Sequence, residues 1–170
     1  MKTIEHTIEV EATPEEIFAF LMDERFVAGL EPRLHKISDV KHKALETLDD
    51  GRLRRISEFR APADLPRFLR RFKDRAPDEV RWDEIAIIDP SKHEMTFEII
   101  PDVPDHWHKR YDSKGRLSAT AIGKGRSRLV QTMDYAIDSP ALGFVINRAI
   151  GKEIASIFEA QADLIRDHFG

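Results

Sequence analysis

After Asp138 the apolar residues of this chain change their spacing, and that change limits the folds open to it. Leu142, Val145, Ile146, Ala149, Ile150, Ile154, Ile157, Phe158, Ile165 and Phe169 recur with a period of about 3.6, so they form one broad stripe on a helix. The spacing predicts a helix of about thirty residues, roughly 40 Å long at about 1.5 Å per residue. Ser139 is placed to cap it, and Pro140 suits its first turn. The stripe is too broad for a coiled-coil seam, so the helix needs a wide apolar partner, and a sheet supplies one.

The sequence upstream provides the strands. From Lys2 to Val10 the residues alternate, with Ile4, His6, Ile8 and Val10 on one side. Thr13, Pro14 and Glu16 form a capping box with proline at the first helical position, which opens a helix through Ile17, Phe20 and Leu21. Asp23 caps a second short helix ending near Pro32. Three hairpins follow. Ile37–Leu48 and Arg52–Arg60 flank Asp49-Asp50-Gly51, Glu79–Ile88 and Glu94–Ile100 flank Asp89-Pro90-Ser91-Lys92, and Gly115–Ile122 and Ser127–Ile137 flank Gly123-Lys124-Gly125-Arg126. Seven strands, two short helices and one long closing helix make an α+β chain.

Composition excludes several kinds of chemistry. The 170 residues include no cysteine, which removes thiol nucleophiles, disulfides, cysteine-ligated zinc and iron–sulfur clusters. A net charge of −4 gives no overall attraction to nucleic acid, and no apolar run has the length of a signal peptide core or a membrane span. The expectation is a cytoplasmic protein. No nucleophile elbow, phosphate loop, zincin helix or dinucleotide fingerprint is present. His106 and His108, within Asp102–His108, are the one pairing with metal-ligand spacing, and the two prolines and two acids around them favour a surface loop. No metal or cofactor is expected.

The opening segment IEVEATPEEIFAFLMDERF and the closing segment GRLSATAIGKGRSRLVQTMDYAIDSPALGFVINRAI, together with the order of elements, resemble the START-like helix-grip proteins of the SRPBCC superfamily, closest to a bacterial branch of it. The resemblance covers residues 1–170 as a single domain and rests on fold markers, with no catalytic signature among them. It implies a curved, seven-stranded antiparallel sheet wrapped round the long C-terminal helix, with a cavity between them that takes hydrophobic ligands.

Within that implied cavity, alternation selects the lining. Ile4, His6 and Ile8 share a face of the first strand, and Phe59 shares one with Leu53, Arg55 and Ser57. Val80 and Trp82 follow on the fourth strand, Met95, Phe97 and Ile99 on the fifth, and Leu129, Gln131, Met133, Tyr135 and Ile137 on the last. Ile146 and Ile150 face them from the helix, where Gly143 and Gly151 leave space. The same faces can equally fill the core and leave nothing to bind. His6, Gln131 and Tyr135 stand out, because a buried imidazole, amide or hydroxyl needs a partner, either a ligand's polar head or another core group. Arg55 is either a solvated outward side chain or an inward polarising group.

The most unusual local feature lies between Arg52 and Arg75, where nine basic residues stand against three acids. Within it Asp64 can cap a helix carrying Leu65, Phe68, Leu69 and Phe72 between arginines, a short basic amphipathic segment. Such a segment serves as a plug or as a lid, with Phe68 and Phe72 over the ligand and the stretch from Asp64 to Arg75 making transient contact with an anionic membrane. The functional expectation is a carrier or sensor of a lipid, fatty acyl or isoprenoid-type molecule, with no obligate protein partner. The alternatives are a polyketide cyclase or dehydratase-like enzyme using the same cavity, and a protein-interaction module.

Overall fold

The computed structural model describes residues 1–62, 79–102, 111–138 and 143–170, with backbone alone at 80, 137, 143–147 and 149. Its strands are β1 (Lys2–Val10), β2 (Asp39–Thr47), β3 (Leu53–Pro62), β4 (Glu79–Asp89), β5 (Glu94–Pro101), β6 (Tyr111–Gly123) and β7 (Arg126–Ile137). They form one antiparallel sheet in the order β1-β7-β6-β5-β4-β3-β2, so every pair except β1 with β7 joins strands that are consecutive in sequence. The helices are α1 (Pro14–Met22), α2 (Glu24–Leu30) and α3 (Gly143–Phe169), with a 3₁₀ turn at Glu31–Arg33. This is the α+β helix-grip architecture expected from the sequence.

The local chemistry explains these boundaries. Glu16 donates its backbone N–H to the Thr13 hydroxyl (3.2 Å) and accepts the Thr13 N–H on its carboxylate (2.8 Å), which completes the expected capping box. Asp23 ends α1 and caps α2 by accepting the Arg25 N–H at 2.9 Å. At the turn before β5, Asp89 accepts bonds from the Ser91 and Lys92 N–H groups. Several strand ends fall one or two residues from the expectation, and the start of β6 shifts furthest. β6 begins at Tyr111 instead of Gly115, because the polar run Asp112-Ser113-Lys114 hides an inward Ser113 that exchanges two hydrogen bonds with the backbone of Ile99.

α3 packs against β1 and β7, and its buried residues Ile154, Phe158, Ala162 and Ile165 complete the core. Full burial of each large aliphatic or aromatic side chain contributes about 1.5–3 kcal/mol. α1 and α2 close one end with Ile17, Phe18, Leu21, Phe26 and Leu30, all at most 2% exposed. Ion pairs Lys36–Glu153 and Arg33–Asp167, each 2.7 Å, tie the segment after α2 to α3. The expected caps of α3, Ser139 and Pro140, lie outside the described residues.

Candidate functional site

Register turns the strand-by-strand alternation into rows across the face that α3 covers. One row runs Leu53, Ile88, Met95, Leu117, Gln131, His6. The next runs Arg55, Ala86, Phe97, Gly115, Met133, Ile4. A third runs Ser57, Glu84, Ile99, then Ser113 and Tyr135, with the step from Ile99 to Ser113 made by the serine hydroxyl. At the end of the face Phe59 pairs with Trp82, their rings stacked 5.6 Å apart and 1° from parallel. The face is therefore apolar with polar groups at chosen points.

Of the residues expected at the site, His6 and Gln131 are direct cross-strand partners. Gln131 is 1% exposed and donates Nε2–H to Oε1 of Gln161 on α3 at 2.6 Å, while its own Oε1 and the Nδ1 of His6 are buried without a partner. Phe97 sits edge-on to Phe158 of α3, its ring filling the space over Gly115 where a side chain would collide with it. Ile150 is half-buried against the core. Ile146 lies in the first turns of α3, and Phe68 and Phe72 lie outside the described residues, as do His106 and His108. Tyr135 is 2% exposed, and burial pushes its phenol upward.

One expectation is corrected and one pair of alternatives is resolved. Gly151 leaves no room for a ligand, because the Tyr135 hydroxyl occupies the place a Cβ would take. Arg55 is not a solvated outward residue; it is 4% exposed, with its Nη1 donating to the Leu21 carbonyl in the last turn of α1 and its Nη2 3.9 Å from the Met95 sulfur. A cation at that helix end complements the dipole, and the Phe26 ring lies 5.6 Å from the guanidinium carbon. These contacts offset part of the cost of burying the guanidinium.

The sequence reading passed over Glu84. It follows Trp82 by two residues and therefore shares its face, which was signal enough to place it inside; at 8% exposure it is the acidic member of that face. Burial pushes its carboxyl up, and the field of Arg55 opposes that. Burial likewise lowers Arg55, which remains a cation because guanidinium starts so high.

Two solvent-open depressions lie elsewhere. One, of about 320 Å³, lies among Thr13, Glu15, His93, Gly123 and Arg126; the other, of about 260 Å³, lies among Lys43, Arg81, Asp83 and Asp102. Their polar side chains already have partners, His93 with Glu15 at 3.3 Å, Arg126 with Glu9 at 2.9 Å, Lys43 with Asp83 at 2.9 Å and Arg81 with Asp102 at 3.6 Å. By contrast, the buried side-chain atoms left without a partner among the described residues, His6 Nδ1, Arg55 Nε, Ser57 Oγ and Gln131 Oε1, all belong to the α3-covered face. Buried polar groups are normally satisfied, so these four atoms set the face apart from the rest of the described core. No cluster of three or more metal-ligating side chains occurs among the described residues, and no described helix is long and apolar enough to cross a membrane.

Comparison with known proteins agrees with this geometry. The family described as "Polyketide cyclase / dehydrase and lipid transport" matches residues 1–170. The structure of TTHA0849 from Thermus thermophilus is similar at 18% identity, TM-score 0.66, covering 98% of this chain and 95% of that one. The Zhui aromatase/cyclase from a Streptomyces species is similar at 16% identity, TM-score 0.55, covering 94% and 93%. A START superfamily protein from Mycobacterium smegmatis is similar at 15% identity, TM-score 0.54, covering 98% and 96%. Likeness at these identities shows a shared fold. No curated protein matches the chain.

Proposed function

The chain belongs to the polyketide cyclase/dehydrase and lipid-transport family of START-like proteins, and from that premise we propose that it binds a hydrophobic small molecule with a polar head between the sheet and α3, as a carrier or sensor. The observation that supports this is the set of unpartnered buried atoms on an otherwise apolar face. Apolar walls of Met95, Phe97, Leu117 and Met133 take the ligand's body, and the polar groups of two adjoining patches, His6 with Gln131 and Arg55 with Ser57, take its head. Phe59, Trp82, Tyr135 and Ile150 extend the wall in this reading. The ligand is a lipid, fatty acyl or isoprenoid-type molecule.

Native mass spectrometry of the purified protein, followed by solvent extraction, tests this. An adduct that is released unchanged by solvent supports a carrier. Protein free of adduct that also fails to take up any of a panel of alkyl acids, alcohols and quinones contradicts it.

One observation favours a second reading. A buried carboxyl, Glu84, stands near a buried guanidinium, Arg55, and such pairs of displaced acid and fixed cation also serve general acid–base chemistry. A cyclase or dehydratase acting in the same cavity would turn over substrate at a rate that falls on Glu84→Gln, His6→Ala or Tyr135→Phe, and a carrier would show no turnover to lose.

A further inference from the structure

Three polar groups share one patch of the α3-covered face. Ser57 and Glu84 are direct partners across β3 and β4, and Arg55 lies two residues from Ser57 on the same side. Side chains opposed in this way stand about 5 Å apart at Cβ. All three groups are more than nine-tenths buried, yet no hydrogen bond joins them. Arg55 directs Nη1 at the Leu21 carbonyl and Nη2 at Met95, leaving Nε without an acceptor, and the Ser57 hydroxyl has none either.

Two buried donors without acceptors, carried two residues apart on one side of β3, match the two oxygens of a carboxylate in number and polarity. Electrostatics adds a condition. Arg55 is the cation that acts on Glu84; from β5 the neighbours are Phe97 and Ile99, from α2 Phe26 lies beside the guanidinium, and Glu58 and Asp83 alternate onto the opposite side of the sheet. One buried cation stabilises one carboxylate, and a second carboxylate brought to the same patch forces one of the two to hold a proton.

We propose that this patch receives the carboxylate of an alkyl or aryl carboxylic acid, held by the Nε–H of Arg55 and the hydroxyl of Ser57, and that Glu84 takes one proton from solvent as the ligand enters. The proposal rests on reading the face as a ligand cavity and adds the chemistry of the head group. Burial already pushes the Glu84 carboxyl upward, so protonation there is easier than on an exposed glutamate.

Calorimetric titration of the full chain with decanoate and with decan-1-ol, near pH 8 in two buffers of different ionisation enthalpy, tests it. Decanoate is expected to bind with uptake of about one proton and decan-1-ol with none. Glu84→Gln, which imitates the protonated acid, is expected to bind decanoate without uptake. Ser57→Ala, a smaller change that keeps the test open should Glu84→Gln not fold, is expected to weaken decanoate about tenfold relative to decan-1-ol. Decanoate binding without uptake overturns the proposal. So does uptake that persists in Glu84→Gln, since the ligand then enters as its own neutral acid. Binding of decan-1-ol without decanoate overturns the head-group assignment alone, and failure of both probes overturns the cavity reading with it.

Discussion

The hydroxyl of Tyr135 stands where the first side-chain carbon of residue 151 would be, so the tip of this β7 side chain rests on the α3 backbone at Gly151. Gly151→Ala must displace that ring. Overpacking of this kind costs about 1–3 kcal/mol, which outweighs the helix propensity of roughly 1 kcal/mol gained by alanine. Urea unfolding should show Gly151→Ala destabilised, and the double variant with Tyr135→Phe should be more stable than the sum of the two single changes. Simple additivity would place the hydroxyl elsewhere.

Arg55→Met should be among the most destabilising single changes, by about 3–5 kcal/mol, because it frees the Leu21 carbonyl and leaves Glu84 buried without its cation. The cost should depend on pH. The Glu84 carboxyl is raised in the folded state from its ordinary 4.5, so its contribution is present below that value and is lost as pH rises through the folded value. Removing Arg55 raises it further. The penalty of Arg55→Met should therefore grow as pH rises from acid to neutral, and Glu84→Gln should remove that growth. Unfolding measured across pH checks both, and a penalty independent of pH contradicts the coupling.

Gln161→Leu removes the acceptor for Gln131 Nε2, whose amide oxygen already lacks a partner. An unsatisfied buried amide costs about 1–3 kcal/mol, so thermal unfolding should show a loss of that order. Gln131→Leu combined with Gln161→Leu should recover most of it, since no orphaned amide then remains.

Much of the fold was legible because strands and the closing helix carry clean periods, and because Thr13, Pro14 and Glu16 form a capping box that sequence alone identifies. The start of β6 was hidden, since Asp112, Ser113 and Lys114 show no alternation in hydrophobicity and Ser113 is inward through its bonds to Ile99. Site residues were legible only as members of a face. Pairing His6 with Gln131 required the register of the first and last strands, 125 residues apart in sequence. The choice between an outward and an inward Arg55 was hidden because its stabilising partner is a carbonyl at the end of α1, and no pattern in one strand reveals a contact with a distant helix terminus.

The basic segment supports a prediction from its charges alone. Each Lys or Arg near an anionic bilayer contributes about 1 kcal/mol, and screening limits each charge's reach to about 8 Å, so local charge can outweigh the net −4. Sedimentation with anionic vesicles at low salt should recover the wild type more than a variant with Arg67, Arg70, Arg71 and Lys73 changed to Glu. Neutral vesicles or high salt should abolish the difference. Equal recovery of both proteins would leave the arginines as a solvated surface.

The four methionines provide the most direct test of the central claim, that a ligand lies on the face beneath α3. Met95 and Met133 are buried on that face at 2% and 1% exposure, Met22 lies at the end of α1, and Met1 is 79% exposed. In protein labelled with ¹³C at the methionine methyls, added decanoate or decan-1-ol should shift the Met95 and Met133 resonances, give ligand contacts to both, and leave Met1 unmoved. Saturable binding that leaves Met95 and Met133 unchanged would put the ligand outside the sheet and contradict the account.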